Sequence, residues 1–288
     1  MIIDTHNHPD WYHMTMDRFL EDMEKTGIEK TWLLSCEIPE GDYNPYEAAI
    51  IPLFDQAKKN IPFERCVPYY EKHPDKFILG YAPDPHDPLA LEKLTYAMKA
   101  YGVRVCGELK YRMMLDDYDA IRLYRFCGKN NLPVVVHIQK PVEHVGDKYP
   151  RDRWWYGGDI DSFERAIKAC PETTFIGHAQ SFWSEISGDG KGDTDLYPTG
   201  KIVEGGKLIK LLDTYPNLYC DISAGSGRNA LTRDPEFAVK FLTKYADRIL
   251  FARDSFGAKH KEVLLSYNLP QDVLDKIFYK NAQKLIGE

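Results

Sequence analysis

Eight short apolar runs, separated by segments of helical periodicity, are the feature of this 288-residue chain that most constrains its fold. The runs are "MIIDTH" (1–6), "KTWLLSC" (30–36), "KFILGYA" (76–82), "GVRVCGELK" (102–110), "LPVVVHI" (132–138), "TTFIGHA" (173–179), "NLYCDIS" (217–223) and "RILFARD" (248–254). In the first intervening segment, Phe19, Leu20 and Met23 share one helical face and Gly27 ends the helix. Eight such strand–helix units predict an α/β fold, the (β/α)8 TIM barrel. A doubly wound open sheet is the alternative, but no glycine-rich phosphate turn follows the first run.

Histidine and carboxylate side chains recur at the C-terminal ends of these predicted strands. They are His6, His8, Glu108, His137, His178 and Asp254. Because the catalytic groups of a (β/α)8 barrel lie at the C-terminal ends of its strands, we expect these side chains to converge at one mouth. Alternation along the first strand also predicts that Asp4, His6 and His8 share one face.

Imidazole and carboxylate groups in this arrangement suit Zn²⁺, Mn²⁺ or Fe²⁺. An ion held by three or four of them keeps a coordination position for water and lowers the pKa of that water toward ~7. A remaining carboxylate or imidazole beside the water then serves as a general base. The sequence therefore predicts a catalytic divalent-metal site.

Charge and composition restrict the partners and the compartment. The formal net charge of −7 argues against a nucleic-acid partner, which needs a strongly basic face. No run approaches the roughly 20 apolar residues that span a bilayer, and no basic and apolar leader precedes the first strand. The six cysteines form no C-x-x-C pair, and Cys36, Cys106 and Cys220 are expected to be small core residues. We predict a cytoplasmic protein that acts on a small molecule and binds neither nucleic acid nor membrane.

The connections after the second, fifth and sixth strands are long enough to build a substrate pocket. The middle one contains "RDRWWYGG" (151–158), which combines aromatic walls, two arginines and a glycine pair that can act as a hinge. Such a segment serves either as a lid or as a contact in a homo-oligomer. The candidate substrate-binding side chains are Lys110, Lys140, Arg151, Arg153, Trp154 and Arg228.

The order and spacing of several stretches resemble the amidohydrolase superfamily, specifically its amidohydrolase-related group of metal-dependent hydrolases and decarboxylases. The matching stretches are "IDTHNHPD", "HPDKFILGYAPDP", "LPVVVHIQ", "FIGHAQSFW", "YPNLYCDIS", "RILFARDSFG" and "DKIFYKNAQKLIGE". They extend from residue 2 to the C-terminus. The resemblance therefore implies one amidohydrolase-like barrel domain over residues 1–288.

Carried onto this chain, the resemblance implies a ligand set and catalytic groups. It implies that His6, His8 and His137 bind a divalent ion, and that Asp254 binds the ion, handles the proton of its water, or both. His178 matches a histidine that is a second ligand in binuclear members and a catalytic acid or base in mononuclear ones. The implied cofactor is one or two divalent ions, with Zn²⁺ expected before Mn²⁺ or Fe²⁺.

Two features depart from the pattern of that group. The strand-eight motif is usually Gly-Thr-Asp, whereas here it reads Ala252-Arg253-Asp254, with Arg253 expected to point away from the barrel axis. Glu108 is similar to the bridging ligand of TatD-like deoxyribonucleases, which would allow two ions with Glu108 between them. Lys110 allows a carbamylated-lysine bridge, as in phosphotriesterase-like members, and a Glu108–Lys110 ion pair at the barrel mouth is the third alternative. We favour Glu108 as a ligand or as a base beside the metal.

The leading functional hypothesis is a metal-dependent hydrolase of a small amide, ester or lactone. The main alternative is a lyase that removes CO₂ from an unsaturated or aromatic carboxylic acid, because the same ligand set serves both reactions. A TatD-like deoxyribonuclease is suggested by Glu108 and opposed by the acidic charge. A non-catalytic binding barrel is the least favoured, since a full ligand set is present.

Overall fold

The computed structural model describes residues 1–42, 60–141 and 155–288, and it contains eight strands that all pair in parallel. The strands are β1 (Ile3–Asn7), β2 (Lys30–Leu34), β3 (Phe77–Gly80), β4 (Cys106–Leu109), β5 (Val134–His137), β6 (Phe175–His178), β7 (Leu218–Asp221) and β8 (Ile249–Leu250). Each lies inside, or within one residue of, an apolar run of the sequence, so the prediction of eight strands is confirmed.

Helices separate most of the strands. They are α1 (Met16–Thr26), α2 (Val67–Lys72), α3 (Ala90–Tyr101), α4 (Tyr118–Lys129), α5 (Ile160–Ala169), α6 (Gln180–Trp183), α7 (Lys207–Thr214), α8 (Ala224–Thr232), α9 (Pro235–Lys244), α10 (Lys259–Ser266), α11 (Gln271–Asp275) and, after a π-helical turn over Lys276–Lys280, α12 (Asn281–Ile286). In α1, Phe19 and Met23 are buried, the Thr15 hydroxyl caps the first turn, and Gly27 ends the helix with a φ of 70°. Among the described residues, none of the helices combines the length and the apolar character of a membrane span.

The strands form two hydrogen-bonded sheets, β1-β2-β3 and β4-β5-β6-β7-β8, that meet at two seams. At one seam the Tyr81 N–H donates to the Val105 carbonyl at 3.0 Å. At the other, the Thr5 N–H donates to the Phe251 carbonyl at 3.0 Å. The fold is therefore the parallel α/β architecture of a TIM barrel, as the sequence predicts.

Two apolar cores follow from the alternation of strand side chains. Residues such as Ile3, Val135 and Ile176 fill the barrel interior, while their neighbours pack outward against the helices. Ala282 and Ile286 of α12 join the interior core, so this last helix covers the N-terminal end of the barrel. The C-terminal end of the barrel is the end that this helix does not cover.

A register shift in β1 overturns one prediction from strand alternation. Asp4 pairs with Thr31 and Asn7 with Leu33, so three steps along β1 oppose two along β2. Asp4 therefore faces Arg253, with Oδ2 2.8 Å from Nε, whereas the sequence places Asp4 on the same face as His6 and His8. The extra residue reverses the phase of alternation and turns both histidines into the mouth.

Arg253 points away from the barrel axis, as expected. It is fully buried, and its guanidinium donates to Asp4 of β1 and to Asp22 of α1, the latter at 2.5 Å. The arginine thus ties β8 to β1 and α1, and its departure from the family pattern leaves the mouth undisturbed.

Candidate metal centre

Glu108 lies at the middle of four histidines that come from three different strands. Its Oε2 is 3.7 Å from Nε2 of His6 and 3.4 Å from Nε2 of His8. Its Oε1 is 2.6 Å from Nδ1 of His137 and 3.6 Å from Nε2 of His178. Each carboxylate oxygen therefore faces a different pair of imidazoles.

The ring nitrogen that points away from Glu108 is held by the protein in all four histidines. Nδ1 of His6 lies 2.6 Å from Asp221, and Nδ1 of His8 lies 2.9 Å from the Leu34 carbonyl. The remaining two contacts are His137 Nε2 to Gln139 Oε1 at 3.2 Å and His178 Nδ1 to Ser223 Oγ at 2.8 Å. Metal-binding histidines are oriented in this way, by a hydrogen bond on the nitrogen that does not bind the metal.

Asp254 completes the group from the end of β8. Its backbone N–H donates to the His6 carbonyl at 2.8 Å, and the Trp11 indole donates to its carbonyl at 3.1 Å. Its Oδ1 lies 3.6 Å from Nε2 of His8 and its Oδ2 lies 3.9 Å from Nε2 of His178. The Asp254 carboxylate therefore lies beside His8 and His178.

The donor set fits a divalent cation. Nε2 of His6 and Oδ1 of Asp254 are buried and have no hydrogen-bond partner among the residues that the structure describes. Groups of His6, His8 and Asp254, and of Glu108, His137 and His178, offer ligand atoms within 4.8 Å of one another. A cation would satisfy both orphan atoms, and nitrogen and carboxylate oxygen are ligands that first-row divalent ions accept.

The charges in this centre stabilise one another. Burial raises the pKa of the Glu108 carboxyl, but His137, His6 and His8 outweigh burial and hold that pKa well below its usual range. Burial lowers the pKa of His6, but Asp221 and Glu108 outweigh burial and raise it well above its usual value. Burial and the nearby Lys110 lower the pKa of His137, which favours the neutral ring that metal binding requires.

The other sequence-predicted residues are placed around this centre in different ways. The Lys110 ammonium lies 5.0 Å from the centroid of the Tyr156 ring. Lys140 is ion-paired with Glu185 at 3.0 Å and with Asp193 at 2.8 Å, so its charge is already neutralised. Three others of this set, Arg151, Arg153 and Trp154, lie outside the described residues.

Arg228 lies at the rim of the mouth, on α8. Burial raises the pKa of Tyr12 to about 12. The charges of Asp254 and Tyr197 raise this pKa further and the charge of Arg228 lowers it, so all three side chains lie near Tyr12. Burial also lowers the pKa of His260, and Arg228 contributes to that shift. Within the described ranges Arg228 forms no ion pair, so its charge is available to an acidic group.

An apolar cluster lines another side of the centre. Its members, named here the apolar wall, are Trp11, Cys36, Ile38, Ile61 and Tyr156. Trp11 lies with its ring centroid 5.5 Å from that of His8, and Tyr156 lies 5.9 Å from His137. The imidazoles of His8 and His137 therefore each have an aromatic neighbour in this wall.

Sequence reasoning overlooked Asp221, Ser223 and the position of Cys36. Asp221 ends β7 in the run "NLYCDIS", so the strand-end rule that selected the other candidates applies to it as well. Cys36 is buried, as expected, but it lies in the apolar wall; burial raises the pKa of its thiol well above the usual value, and Glu108 raises it further. Nothing in the sequence around Cys36 indicates that its thiol lies close to Glu108.

A family model described as "Amidohydrolase" matches residues 3–287, which confirms the resemblance seen in the sequence. No curated protein sequence matches the chain. Among solved structures, the chain is similar to an uncharacterized TIM-barrel protein of Bordetella bronchiseptica, with a TM-score of 0.66 and 16% identity over 99% of this chain and 98% of the other.

Two enzymes have the same fold. A dihydroxybenzoic acid decarboxylase from Polaromonas sp. JS666, solved with bound manganese and 2-nitroresorcinol, has a TM-score of 0.60 at 16% identity, over 99% of this chain and 96% of that chain. A putative 2-pyrone-4,6-dicarboxylic acid hydrolase from Pseudomonas putida has a TM-score of 0.60 at 13% identity, over 99% and 97% of the two chains. At these identities the likeness shows the fold alone.

Proposed function

Because the chain belongs to the amidohydrolase family, we propose that it is a divalent-metal-dependent hydrolase of a small amide, ester or lactone. The observation that carries this proposal is the set of four imidazoles around Glu108, each held by a hydrogen bond on its outer nitrogen. Such bonds orient the rings and raise their basicity as ligands.

Glu108 supports two ion positions rather than one. Oε2 faces His6 and His8, with Asp254 beside them, and Oε1 faces His137 and His178. We therefore assign Glu108 as a ligand shared by two positions. When bound, divalent ions supply Lewis acidity, which polarises a substrate carbonyl and lowers the pKa of water. Zn²⁺ is our first choice because every donor is imidazole or carboxylate, and the Mn²⁺ of the Polaromonas decarboxylase makes Mn²⁺ the second.

Asp254 is the residue to which we assign the proton transfer. Its Oδ1 has no hydrogen-bond partner within the described part of the chain, and its side chain stays partly accessible at 17% exposure. A carboxylate held in this way can accept a proton from an attacking water and return it to the leaving group. His178, 3.9 Å from Asp254, can relay that proton or act as a ligand.

Arg228 and the apolar wall favour a second candidate, decarboxylation of an aromatic or unsaturated carboxylic acid. An arginine without an ion pair in the described ranges can hold a substrate carboxylate, and the partly exposed Trp11 ring of the wall can contact a substrate ring. Both reactions use the same donor set, and the solved structures of this fold include a decarboxylase and a putative hydrolase. A deoxyribonuclease is disfavoured by the net charge of −7.

The deciding experiment offers the metal-loaded protein a panel of lactones, esters and amides beside aromatic carboxylic acids. Acid release from the first set supports hydrolysis, and CO₂ release from the second supports the lyase. The Asp254→Asn variant, loaded with the same metal, is the control that separates site chemistry from contaminating activity. If the protein binds no divalent metal near neutral pH, the proposal fails and a binding barrel replaces it.

The remaining proposals concern the extent of the domain, the location of the protein and its oligomeric state. One domain spanning residues 1–288 agrees with the extent of the family match. All six cysteines are free and buried, which suits the reducing cytoplasm that we propose as its location. A homo-oligomer stays a proposal that size-exclusion chromatography with light scattering would test.

A further inference from the structure

The end of β7 supports two of the four imidazoles without facing Glu108 itself. We propose that Asp221 and Ser223 are positioning residues, which hold His6 and His178 with their Nε2 atoms ready to bind metal and so set the metal affinity of the centre. This inference rests on the metal centre of the proposed function. Neither residue carries a role in the reaction proposed above.

Asp221 acts on His6 directly. Its Oδ2 lies 2.6 Å from Nδ1 of His6, and both side chains are fully buried. A carboxylate only accepts hydrogen bonds, so in the neutral ring of His6 it keeps the proton on Nδ1 and leaves the lone pair on Nε2, a buried atom that has no hydrogen-bond partner among the described residues. The Trp183 indole donates to the Asp221 carbonyl at 2.9 Å and holds this strand end in place.

Ser223 acts on His178, and Asp221 supports Ser223. The Ser223 hydroxyl oxygen is 2.8 Å from Nδ1 of His178, whereas the nearest Asp221 oxygen is 3.5 Å from that atom. The Ser223 N–H donates to Oδ1 of Asp221 at 2.7 Å, so the carboxylate fixes the backbone that carries the hydroxyl. Asp221 and Ser223, two positions apart in the chain, therefore orient the imidazoles of His6 and His178.

These two imidazoles belong to different halves of the centre. His6 faces Oε2 of Glu108 and His178 faces Oε1. The outer nitrogens of the other two histidines contact neutral partners, the Leu34 carbonyl and the Gln139 amide. A carboxylate partner raises the basicity of an imidazole ligand more than a neutral one, so loss of Asp221 should weaken metal binding most.

The test measures metal affinity and the spectrum of bound Co²⁺ rather than turnover. Metal-free wild type, Asp221→Asn and Ser223→Ala are titrated with Zn²⁺ against a chromophoric chelator, and then loaded with Co²⁺. We expect Asp221→Asn to bind Zn²⁺ about 10- to 100-fold more weakly. Both variants should change the visible Co²⁺ absorption, which reports ligand geometry and which a change of global stability would not move.

The chain offers a matched control for each substitution. Asp234→Asn removes a charge at a helix cap, where Asp234 accepts the Phe237 N–H at 3.2 Å. Ser226→Ala removes a buried hydroxyl that has no hydrogen-bond partner within the described part of the chain. Both controls should keep the wild-type Zn²⁺ affinity and Co²⁺ spectrum.

The outcomes separate this inference from the proposed function. If wild type binds no metal, the metal centre itself is wrong. If wild type binds metal and both Asp221→Asn and Ser223→Ala match its affinity and spectrum, the positioning role is overturned while the metal centre stands. Should Asp221→Asn fail to fold, Ser223→Ala alone decides, because it removes one hydroxyl without leaving a charge, and an unchanged Co²⁺ spectrum would overturn the proposal.

Discussion

Nδ1 of His137 lies 2.6 Å from Oε1 of Glu108, closer than any nitrogen of the other three imidazoles lies to the same carboxylate. The contact joins the ends of β4 and β5. It is possible because β4 shifts register between Cys106 and Leu109, so that Gly107 and Glu108 interrupt the regular alternation. Glu108 thereby enters the mouth between its two pairs of histidines.

Glu108→Gln should reduce the metal content of the loaded protein by about one equivalent. The amide has the same shape, but it carries no charge and turns one NH₂ group toward a pair of imidazoles. Elemental analysis after loading and desalting measures the change, with Glu64→Gln at an exposed position as the control. Unchanged metal content would show that Glu108 is not a ligand.

His6→Ala and His8→Ala should each lower metal content, because each removes a nitrogen that faces Glu108 from a ring already oriented by the protein. The same elemental analysis applies. His73→Ala is a suitable control, since His73 follows α2, before β3, and lies away from the mouth. Equal metal content in all three variants and wild type would rule out the β1 histidines as ligands.

Asp254→Asn should lower turnover by roughly 10²–10⁴-fold, the usual contribution of general acid–base catalysis. The amide keeps the shape and one oxygen but loses the basicity, so the metal should stay at least partly bound. His178→Ala should also lower activity, and should lower metal content only if the centre holds two ions. If metal-loaded Asp254→Asn keeps near wild-type turnover, Asp254 is not the base, and His178 or Glu108 becomes the candidate.

Arg253→Met should destabilise the fold by about 3–5 kcal/mol, because it leaves the fully buried Asp4 carboxylate without its cationic partner. Urea denaturation followed by fluorescence measures the loss. Arg165→Met, which breaks the exposed pair with Asp116, is the control and should change stability little. A similar small change for Arg253→Met would mean that the buried ion pair does not stabilise this junction.

Glu37 should make stability depend on pH. Burial raises the pKa of its carboxyl from 4.5 to about 7, although the Phe63 N–H that donates to it opposes the shift. The folded state holds the Glu37 proton more tightly than the unfolded state does. The contribution of this proton to the free energy of unfolding is therefore full below pH ~4.5 and is lost as the pH rises through ~7. Glu37→Gln should match wild type at low pH and exceed its free energy of unfolding by up to about 3 kcal/mol at pH 8.

The measurement is urea denaturation of wild type and Glu37→Gln at matched pH values between 4.5 and 8. A difference between the two proteins that stays constant over this range would contradict the raised pKa of Glu37.

The eight strands and the polar side chains at their C-terminal ends could be predicted from local patterns in the sequence. The apolar runs are short and β-rich, and the segments between them carry helical periodicity, so local propensity and pattern agree on eight βα units. Once the strands are parallel, their C-terminal ends must meet, which is why the sequence predicts that His6, His8, Glu108, His137, His178 and Asp254 converge. The register shifts in β1 and β4, which turn His6, His8 and Glu108 into the mouth, are not part of that prediction.

The directions in which some of these side chains point, and the groups that support them, depend on contacts between segments that are far apart in the sequence. The register shift in β1, which separates Asp4 from His6 and His8, arises from pairing with β2 and has no local signature. His6 contacts Asp221, which is 215 positions away in the sequence. Lys140 contacts Asp193, which lies in the connection between β6 and β7. The register of each strand depends on its neighbours in the sheet, so these contacts form together, and a pattern along one segment cannot contain that information.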